Sequence, residues 1–531
     1  MYNGSELWKK RIPLNMTEII LDSGRKIETY PGLPANLYRA VAKYGESRPE
    51  KTAVVDSFGH CLTYRGLKNA ADSFASVLKY KFGVVKGSHV ALMMYSSAEF
   101  CVAFLALVKL GAIAVLLPTK YKQKEIWSLL DKSDAQHVIL DTDYRAYFET
   151  YQEKGLTLIE YHSSKEAEIF GGVMEEGYPE AEEKGGYEDT VVMMFTSGTS
   201  SASKAVMLTN YSYMHAAATY RKLFDITEKD STVIPVPIYM ITGLSALLGT
   251  MLFSGGTVYM QQFFKAEEVL RCVQEKQVTF LHAAPTVYSL LVRERDKFPK
   301  LESLRCLACG GARSPRQMIE KIHDWLPDCE FRTVYGMTET ASPAAVLPEN
   351  AAKSPEMESN GVPIPGMKFK IVDEEGKELP TGELGELLLY GTNLLECYYK
   401  MDTPLYKDGW LHTGDMGYFT EEGYCYVVDR KKDMINRGGE KVVSSDVERE
   451  LLQIDGVEEA AVVGIPSEVY GEAPAAVIRK KEGSALDEQQ IRDRLRREIA
   501  GYKVPERIVF VEEIPLTPNG KYDKKNMKAL F

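Results

Sequence analysis

Thr196-Ser197-Gly198-Thr199-Ser200-Ser201-Ala202-Ser203-Lys204 lies between two short runs, 191–195 and 206–209, that read as strands. A loop of small residues and hydroxyls, closed by one lysine, suits a polyphosphate. Backbone N–H groups can approach closely, hydroxyls donate, and the ammonium neutralises charge. The same composition also makes a solvated Ser-rich turn, and the loop alone does not separate the two. A Walker A loop is excluded: no second glycine precedes Lys204, Ala205 follows where Ser or Thr is required, and a strand rather than a helix comes next.

The surroundings narrow the choice. A chain of 531 residues is too long for one core and predicts two or more domains. The net charge of −11 excludes a general nucleic-acid or anionic-membrane surface, though not a local basic pocket. Eight cysteines are scattered without a disulfide-scaffold pattern, which fits a reducing cytosol, and a cytoplasmic location is expected. Cys306 and Cys309 have the spacing of a metal or redox pair, but they lie in an apolar run, 304–309, that reads as a buried strand. The most membrane-like window is 100–118. Lys109 and Gly111 interrupt it, and it divides into a buried helix (99–109) and a buried strand (112–117), so no membrane span is expected. Residues 1–11 lack an apolar h-region, and no secretory signal is expected.

From 38 to 118 helical and strand patterns alternate, which implies an α/β fold with a parallel sheet covered by helices. Strand patterns at 136–140, 191–195, near 233, and at 256–260, 278–281, 304–309 and 330–335 continue it. Helical runs at 267–275 and 286–293 separate the later strands. The acidic stretch 166–189 reads as an exposed linker or surface excursion. Beyond Gly361 short strands at 368–372, 385–390 and 423–429 form a small β-rich unit. A compact α+β pattern follows, with a helix at 447–452, strands at 460–464 and 475–479, and a helix at 487–498. The expected domains are 1–429 and 430–531, joined at the charged segment Asp429-Arg430-Lys431-Lys432-Asp433.

Four further segments share the loop's character: Gly310-Gly311-Ala312-Arg313, Tyr335-Gly336-Met337-Thr338-Glu339-Thr340, Gly409-Trp410-Leu411-His412-Thr413-Gly414-Asp415 and Pro515-Leu516-Thr517-Pro518-Asn519-Gly520-Lys521. The first two follow strands, where open α/β sheets bind ligands and glycines let a ligand lie against the backbone. Each alone is weak; together and in this order they are specific. From about Leu33 onward the sequence resembles the adenylate-forming superfamily of acyl-CoA synthetases, peptide-synthetase adenylation domains and beetle luciferases.

The resemblance implies a large N-terminal and a small mobile C-terminal domain, with substrates ATP and coenzyme A and the cofactor Mg²⁺. It makes Thr196, Ser197, Gly198, Thr199, Ser200 and Lys204 the grip on the β- and γ-phosphates, and Glu339 the Mg²⁺ carboxylate, since a hard dication wants oxygen ligands. Thr338 would hold the α-phosphate. Tyr335 would lie against the adenine, and Gly311, Ala312 and Gly336 would belong to the same ATP/AMP site. Asp415, an acceptor-only group, suits the ribose hydroxyls, with Arg430 assisting. Lys521 matches the lysine that reaches the reacting carboxylate and α-phosphate while acyl-AMP forms. Tyr239, Met240, Gly243 and Gly310 would line the acyl pocket, Gly438 and Gly439 the coenzyme A tunnel, and Lys432 would be the hinge between two working positions.

Departures from the family pattern are local. Where relatives read Thr-Gly-x-Pro-Lys-Gly, Ser200, Ser201, Ala202, Ser203, Lys204 and Ala205 stand here, which bears on turnover rate more than on phosphate binding. Met240 replaces a customary His, and Cys397 a customary Gly before Tyr398-Tyr399. No Asp stands between 235 and 245 to pair with a substrate ammonium, so an apolar carboxylic acid is expected rather than an amino acid. The wording of 409–415 and Gly438-Gly439-Glu440 is that of acyl-CoA synthetases, and no carrier-protein segment follows Phe531. Coenzyme A is therefore the expected acceptor, with loading of a separate carrier protein the alternative and a sensor without catalysis a more distant one. The sequence does not name the acid, and it leaves the oligomeric state, a homodimer included, open.

Overall fold

The computed structural model describes residues 1–149, 151, 155–165, 168–171, 173–174, 177–196, 203–401, 406–407, 409–438, 440–517 and 521–531. It divides into two compact units, one of residues 2–368 and 390–409, the other of Met1 with 369–389 and 410–531.

Among the described residues the larger unit carries a seven-stranded sheet, a nine-stranded sheet and a two-stranded hairpin of Thr17–Ile20 and Lys26–Thr29. In the first, Ile113–Leu116, His89–Met93, His137–Asp141, Thr157–Tyr161 and Thr190–Phe195 are parallel. Ala205–Thr209 then folds back antiparallel onto Thr190–Phe195, and Cys397–Tyr398 closes that edge. In the second, Thr52–Asp56, Thr257–Met260, Ser231–Ile234, Phe280–Ala283, Cys306–Gly310 and Glu330–Tyr335 run parallel, with short antiparallel strands at both margins. The parallel strands are apolar on both faces, as burial between helices demands.

Local chemistry sets the helices. Thr63 caps Tyr64–Tyr80 by accepting the Gly66 N–H, and Leu67, Ala71, Phe74 and Leu78 bury one face. Ser97 caps Ala98–Leu110, and Gly111 ends it at φ +69°. That helix is buried all round, as the membrane-like window 100–118 requires of a core helix. Lys109 within it is 2% exposed and bonds Asp72 Oδ1 at 2.7 Å and Glu180 Oε1 at 2.9 Å. No helix among the described residues is long and apolar enough to cross a membrane.

One expectation changes. Among its described residues the stretch 166–189 forms no helix and no strand, yet it is more than an exposed linker: Phe170 is buried and stacks on Phe74 at 4.0 Å, and Ala181 is buried too. Cys306 and Cys309 lie three apart on one strand, so their side chains leave opposite faces. Burial pushes both thiols up to about 12, which suits neither a metal nor a redox pair. Of the eight free thiols, Cys61 is the exposed one.

In the smaller unit Gly385–Gly391, Trp410–Phe419 and Cys425–Arg430 pair antiparallel. After them Ile435–Arg437, Gly471–Lys480, Val457–Ser467 and Arg507–Phe510 make a second sheet, packed by Ser444–Leu452 and Glu488–Glu498 over a core of Val447, Leu451, Val462, Ile478, Ile491 and Leu495. Asp487 caps the second of these helices in a capping box with Gln490. The charged junction is engaged rather than bare. Asp429 Oδ2 accepts the Ser444 N–H at 2.9 Å and its hydroxyl at 2.6 Å, and Lys524 Nζ stands 3.5 Å from Oδ1.

Candidate functional site

Strands Thr190–Phe195 and Ala205–Thr209 pair antiparallel on either side of the expected phosphate loop. Its neck is pinned twice: the Thr196 N–H donates to the Lys204 carbonyl at 3.0 Å, and the Lys204 N–H donates to Thr196 Oγ1 at 3.1 Å. Lys132 Nζ donates to the Ser203 carbonyl at 3.0 Å. Ser197, Gly198, Thr199 and Ser200 lie outside the described residues, as does Gly439.

A second strand end lies in the same unit. Cys306–Gly310 delivers Gly311 with φ +85° and open space where a side chain would project, beside an exposed Ala312. At Gly310 a Cβ would stand 2.7 Å from the Val334 carbonyl, so only glycine lets the two strands run this close. The neighbouring strand Glu330–Tyr335 ends on a buried Tyr335 and Gly336, and a single tight turn, Thr338–Thr340, follows. The Met337 N–H donates to Thr340 Oγ1 at 3.1 Å, and Asn393 Nδ2 donates to the Thr340 carbonyl at 2.7 Å, holding the turn from both sides.

Glu339 is oriented by its neighbours. Its main-chain carbonyl accepts the Leu395 N–H at 2.7 Å, and its Oε1 accepts the Tyr398 hydroxyl at 2.9 Å. Lys204 Nζ stands 4.8 Å from the centroid of the same Tyr398 ring. The structure thus brings together Thr196, Lys204 and Glu339. Tyr398, Asn393 and Lys132 escape the sequence reading, since none belongs to a periodic pattern and each acts through a contact distant in sequence.

Tyr239 and Met240 precede a π-helical segment, Thr242–Gly249, a form common at functional sites. Gly243 brings that segment against Pro237, whose carbonyl would stand 2.8 Å from a Cβ there. Tyr239 is 8% exposed, burial pushes its phenol well up, and among the described residues its hydroxyl has no hydrogen-bond partner.

In the smaller unit Asp415 and Arg430 face each other across Trp410–Phe419 and Cys425–Arg430, with Arg430 Nε 2.6 Å from Asp415 Oδ1. The carboxylate is nearly buried while the guanidinium is about half exposed, so the pair offers an oriented acceptor beside an accessible cation. The Asp415 N–H donates to Thr413 Oγ1 at 3.0 Å, fixing the turn at Gly414, φ +70°. Lys432 lies exposed in the turn that follows. Gly438, φ +60°, donates its N–H to the Tyr470 carbonyl at 2.9 Å. Lys521 is exposed on a terminal hairpin closed by Thr517, whose N–H donates to the Lys521 carbonyl at 2.7 Å.

Glu339 also suits a magnesium ion by its donor set. With Oε1 engaged by Tyr398, one carboxylate oxygen remains for a dication that takes few protein ligands and completes its octahedron with phosphate and water.

Residues 41–399 match the model of the AMP-binding enzyme family, and residues 446–521 match that of the AMP-binding enzyme C-terminal domain. A 2-succinylbenzoate–CoA ligase of Oceanobacillus iheyensis is 31% identical over 491 residues, 92% of this chain and 98% of its own. A feruloyl-CoA synthase of an Amycolatopsis species is 29% identical over 488 residues, 91% of this chain and 96% of its own. The o-succinylbenzoate CoA synthetase of Bacillus subtilis, solved with an acyl-adenylate, matches with a TM-score of 0.82 at 28% identity, covering 92% of this chain and 97% of that one. The same synthetase solved with ATP and a magnesium ion matches at 0.81 and 28%, covering 92% and 99%. The protein belongs to the AMP-binding enzyme family and, within it, to the adenylate-forming acyl-CoA synthetases.

Proposed function

We propose that this chain is an ATP-dependent acid–CoA ligase whose substrate is an aromatic carboxylic acid. The observation that carries it is the placement of the phosphate-loop lysine and a carboxylate, Lys204 and Glu339, on one aromatic ring. The relatives support the acyl class, since they are named for 2-succinylbenzoate and ferulate. The uncharged, largely apolar segment 238–243, with the buried phenol of Tyr239, suits an apolar acid with a ring.

The reaction has two halves. A carboxylate oxygen attacks the α-phosphorus of ATP, the bond to pyrophosphate breaks, and acyl-AMP forms. The thiolate of coenzyme A then attacks the acyl carbon and AMP leaves. Thr196 and Lys204 hold the departing phosphates, and Thr338 the α-phosphate. Tyr335, Gly336, Gly311 and Ala312 lie along the base, while Asp415 and Arg430 take the ribose. Magnesium on Glu339, when bound, would neutralise charge on the phosphate oxygens. Lys521 stabilises the charge developing on the reacting oxygens. The second half uses Gly438 and Gly439, and residues 430–531 turn about Lys432 between the two, a movement in the general repertoire of hinge transitions. A cytoplasmic location accords with the eight free thiols.

The test is pyrophosphate release with a panel of acids, followed by thioester formation with coenzyme A or a phosphopantetheinyl carrier. Turnover is expected with aromatic acids and coenzyme A. Release only with straight-chain fatty acids would overturn the aromatic assignment, and transfer only to the carrier would overturn the acceptor.

A further inference from the structure

The segment 395–399 is bonded on both sides. The Leu395 N–H donates to the Glu339 carbonyl at 2.7 Å, while the N–H groups of Glu396 and Tyr399 donate to the carbonyls of Met207 and Ala205, each at 2.8 Å. Val206 is the register partner of Tyr398, so the tyrosine sits beside the strand that begins one residue after Lys204. Its side chain is buried, its hydroxyl donates to Glu339 Oε1, and its ring carries the Lys204 ammonium.

We infer that Tyr398 is a positioning residue that sets the Glu339 carboxylate and the Lys204 ammonium at a fixed separation for the metal–polyphosphate; this rests on the roles given above to Glu339 and Lys204. The two contacts use different parts of one side chain. The hydroxyl fixes the carboxylate's rotation and occupies Oε1, which leaves Oε2 to face a cation. The π face holds the ammonium without neutralising it, since a ring quadrupole attracts a cation yet carries no counter-charge. A carboxylate in Tyr398's place would bind Lys204 more tightly and withdraw it from the phosphates. A tyrosine on a two-residue edge strand thus couples a metal ligand to a loop residue from which it lies 194 positions away in sequence (398 − 204).

Tyr398→Phe removes the hydroxyl and keeps the ring; Tyr398→Leu removes both. The Mg²⁺ concentration for half-maximal pyrophosphate release, and that for half-maximal ATP binding by calorimetry, are both expected to rise about 10-fold in Tyr398→Phe, the usual range for losing a group that orients a metal ligand. KM for ATP at saturating Mg²⁺ should stay near wild type. In Tyr398→Leu both should rise. In a Glu339→Gln background Tyr398→Phe should add no further change, because its effect passes through the carboxylate. Thioester formation from preformed acyl-AMP should be unaltered in both single variants, which a general loss of structure would not allow. If wild type is active and Tyr398→Phe keeps the wild-type Mg²⁺ dependence, or if the two substitutions add, the inference is overturned while the ligase reading stands. If wild type neither binds Mg·ATP by calorimetry nor releases pyrophosphate with any acid, the ligase reading falls and takes the inference with it.

Discussion

Glu99 is fully buried near the start of a helix, and neither of its oxygens has a hydrogen-bond partner among the described residues, although His60 Nδ1 stands 3.4 Å from Oε1. Its neighbour Asp56 is well served, accepting the N–H groups of Phe58, His60 and Ala98, with His60 Nδ1 at 3.0 Å. Burial raises the Glu99 carboxyl above the ordinary glutamate value of 4.5, with the nearby backbone, Ser97 and His60, none of them in hydrogen-bond geometry, pulling more weakly the other way. A carboxyl with a raised folded pKa costs nothing below the unfolded value, where both states are protonated. It weakens the fold progressively as pH rises through the folded value. Glu99→Gln should therefore raise the urea midpoint at pH 7, and the difference from wild type should vanish near pH 4. A lower midpoint at pH 7 would mean that the ionised carboxylate is satisfied after all. At this scale the sequence reading reached Asp415, Arg430, Glu339 and Lys204 through motifs. It passed over Tyr398 and Asn393, whose contacts are with partners more than 50 residues away and leave no local trace.

Among the elements, Ala98–Leu110 is read correctly as a core helix because Lys109 breaks the apolar window, yet the sequence does not show what makes the lysine tolerable. The ammonium lies between Asp72 and Glu180 with the Tyr38 ring at 5.3 Å, and Lys68 bonds the other oxygen of Asp72 at 2.6 Å. Lys109→Met should cost about 3 kcal/mol by leaving Asp72 partly uncompensated, whereas adding Asp72→Leu should return much of it. Urea denaturation of the single and double variants checks this; a double variant no better than the single would mean that packing, not charge, decides the site. Strand positions are legible from apolar runs, but their ends are not. The strand expected at 278–281 runs Phe280–Ala283, and that expected at 460–464 extends over Val457–Ser467, because pairing with Gly471–Lys480 lengthens it beyond its apolar centre. The stretch 166–189 looks solvated by composition, and only tertiary packing shows that Phe170 is drawn onto Phe74.

For the molecule as a whole, the two-step reading requires residues 430–531 to turn about Lys432. Asp429 precedes that point, while Ser444 and Lys524 follow it, so the turn must break the bonds that join them. Lys521 and Gly438 are assigned to different halves of the reaction. Lys521→Ala should slow acyl-AMP formation about 10²–10³-fold, the range for losing one preorganised charge contact, and leave thioester formation from preformed acyl-AMP close to wild type. Stopped-flow measurement of each half checks this, and equal losses in both would remove the division of labour. The large α/β architecture, with its β-rich unit and its C-terminal α+β unit, is legible from alternation and from the change of strand style after Gly361. Two separate sheets rather than one are not, since strand order depends on long-range pairing.

The thiol inventory has a practical corollary. Cys61 lies on the margin strand Cys61–Thr63, while burial keeps Cys101, Cys306, Cys309, Cys329 and Cys425 protonated and out of reach. Cys272 and Cys397 are half-buried, with thiols also pushed up. A maleimide fluorophore at neutral pH therefore has one favoured seat on the unmodified chain, far in sequence from every residue assigned to the chemistry. A second dye on a cysteine introduced beyond the proposed hinge would turn that seat into the fixed end of a molecular ruler for single-particle energy transfer, with no native cysteine replaced.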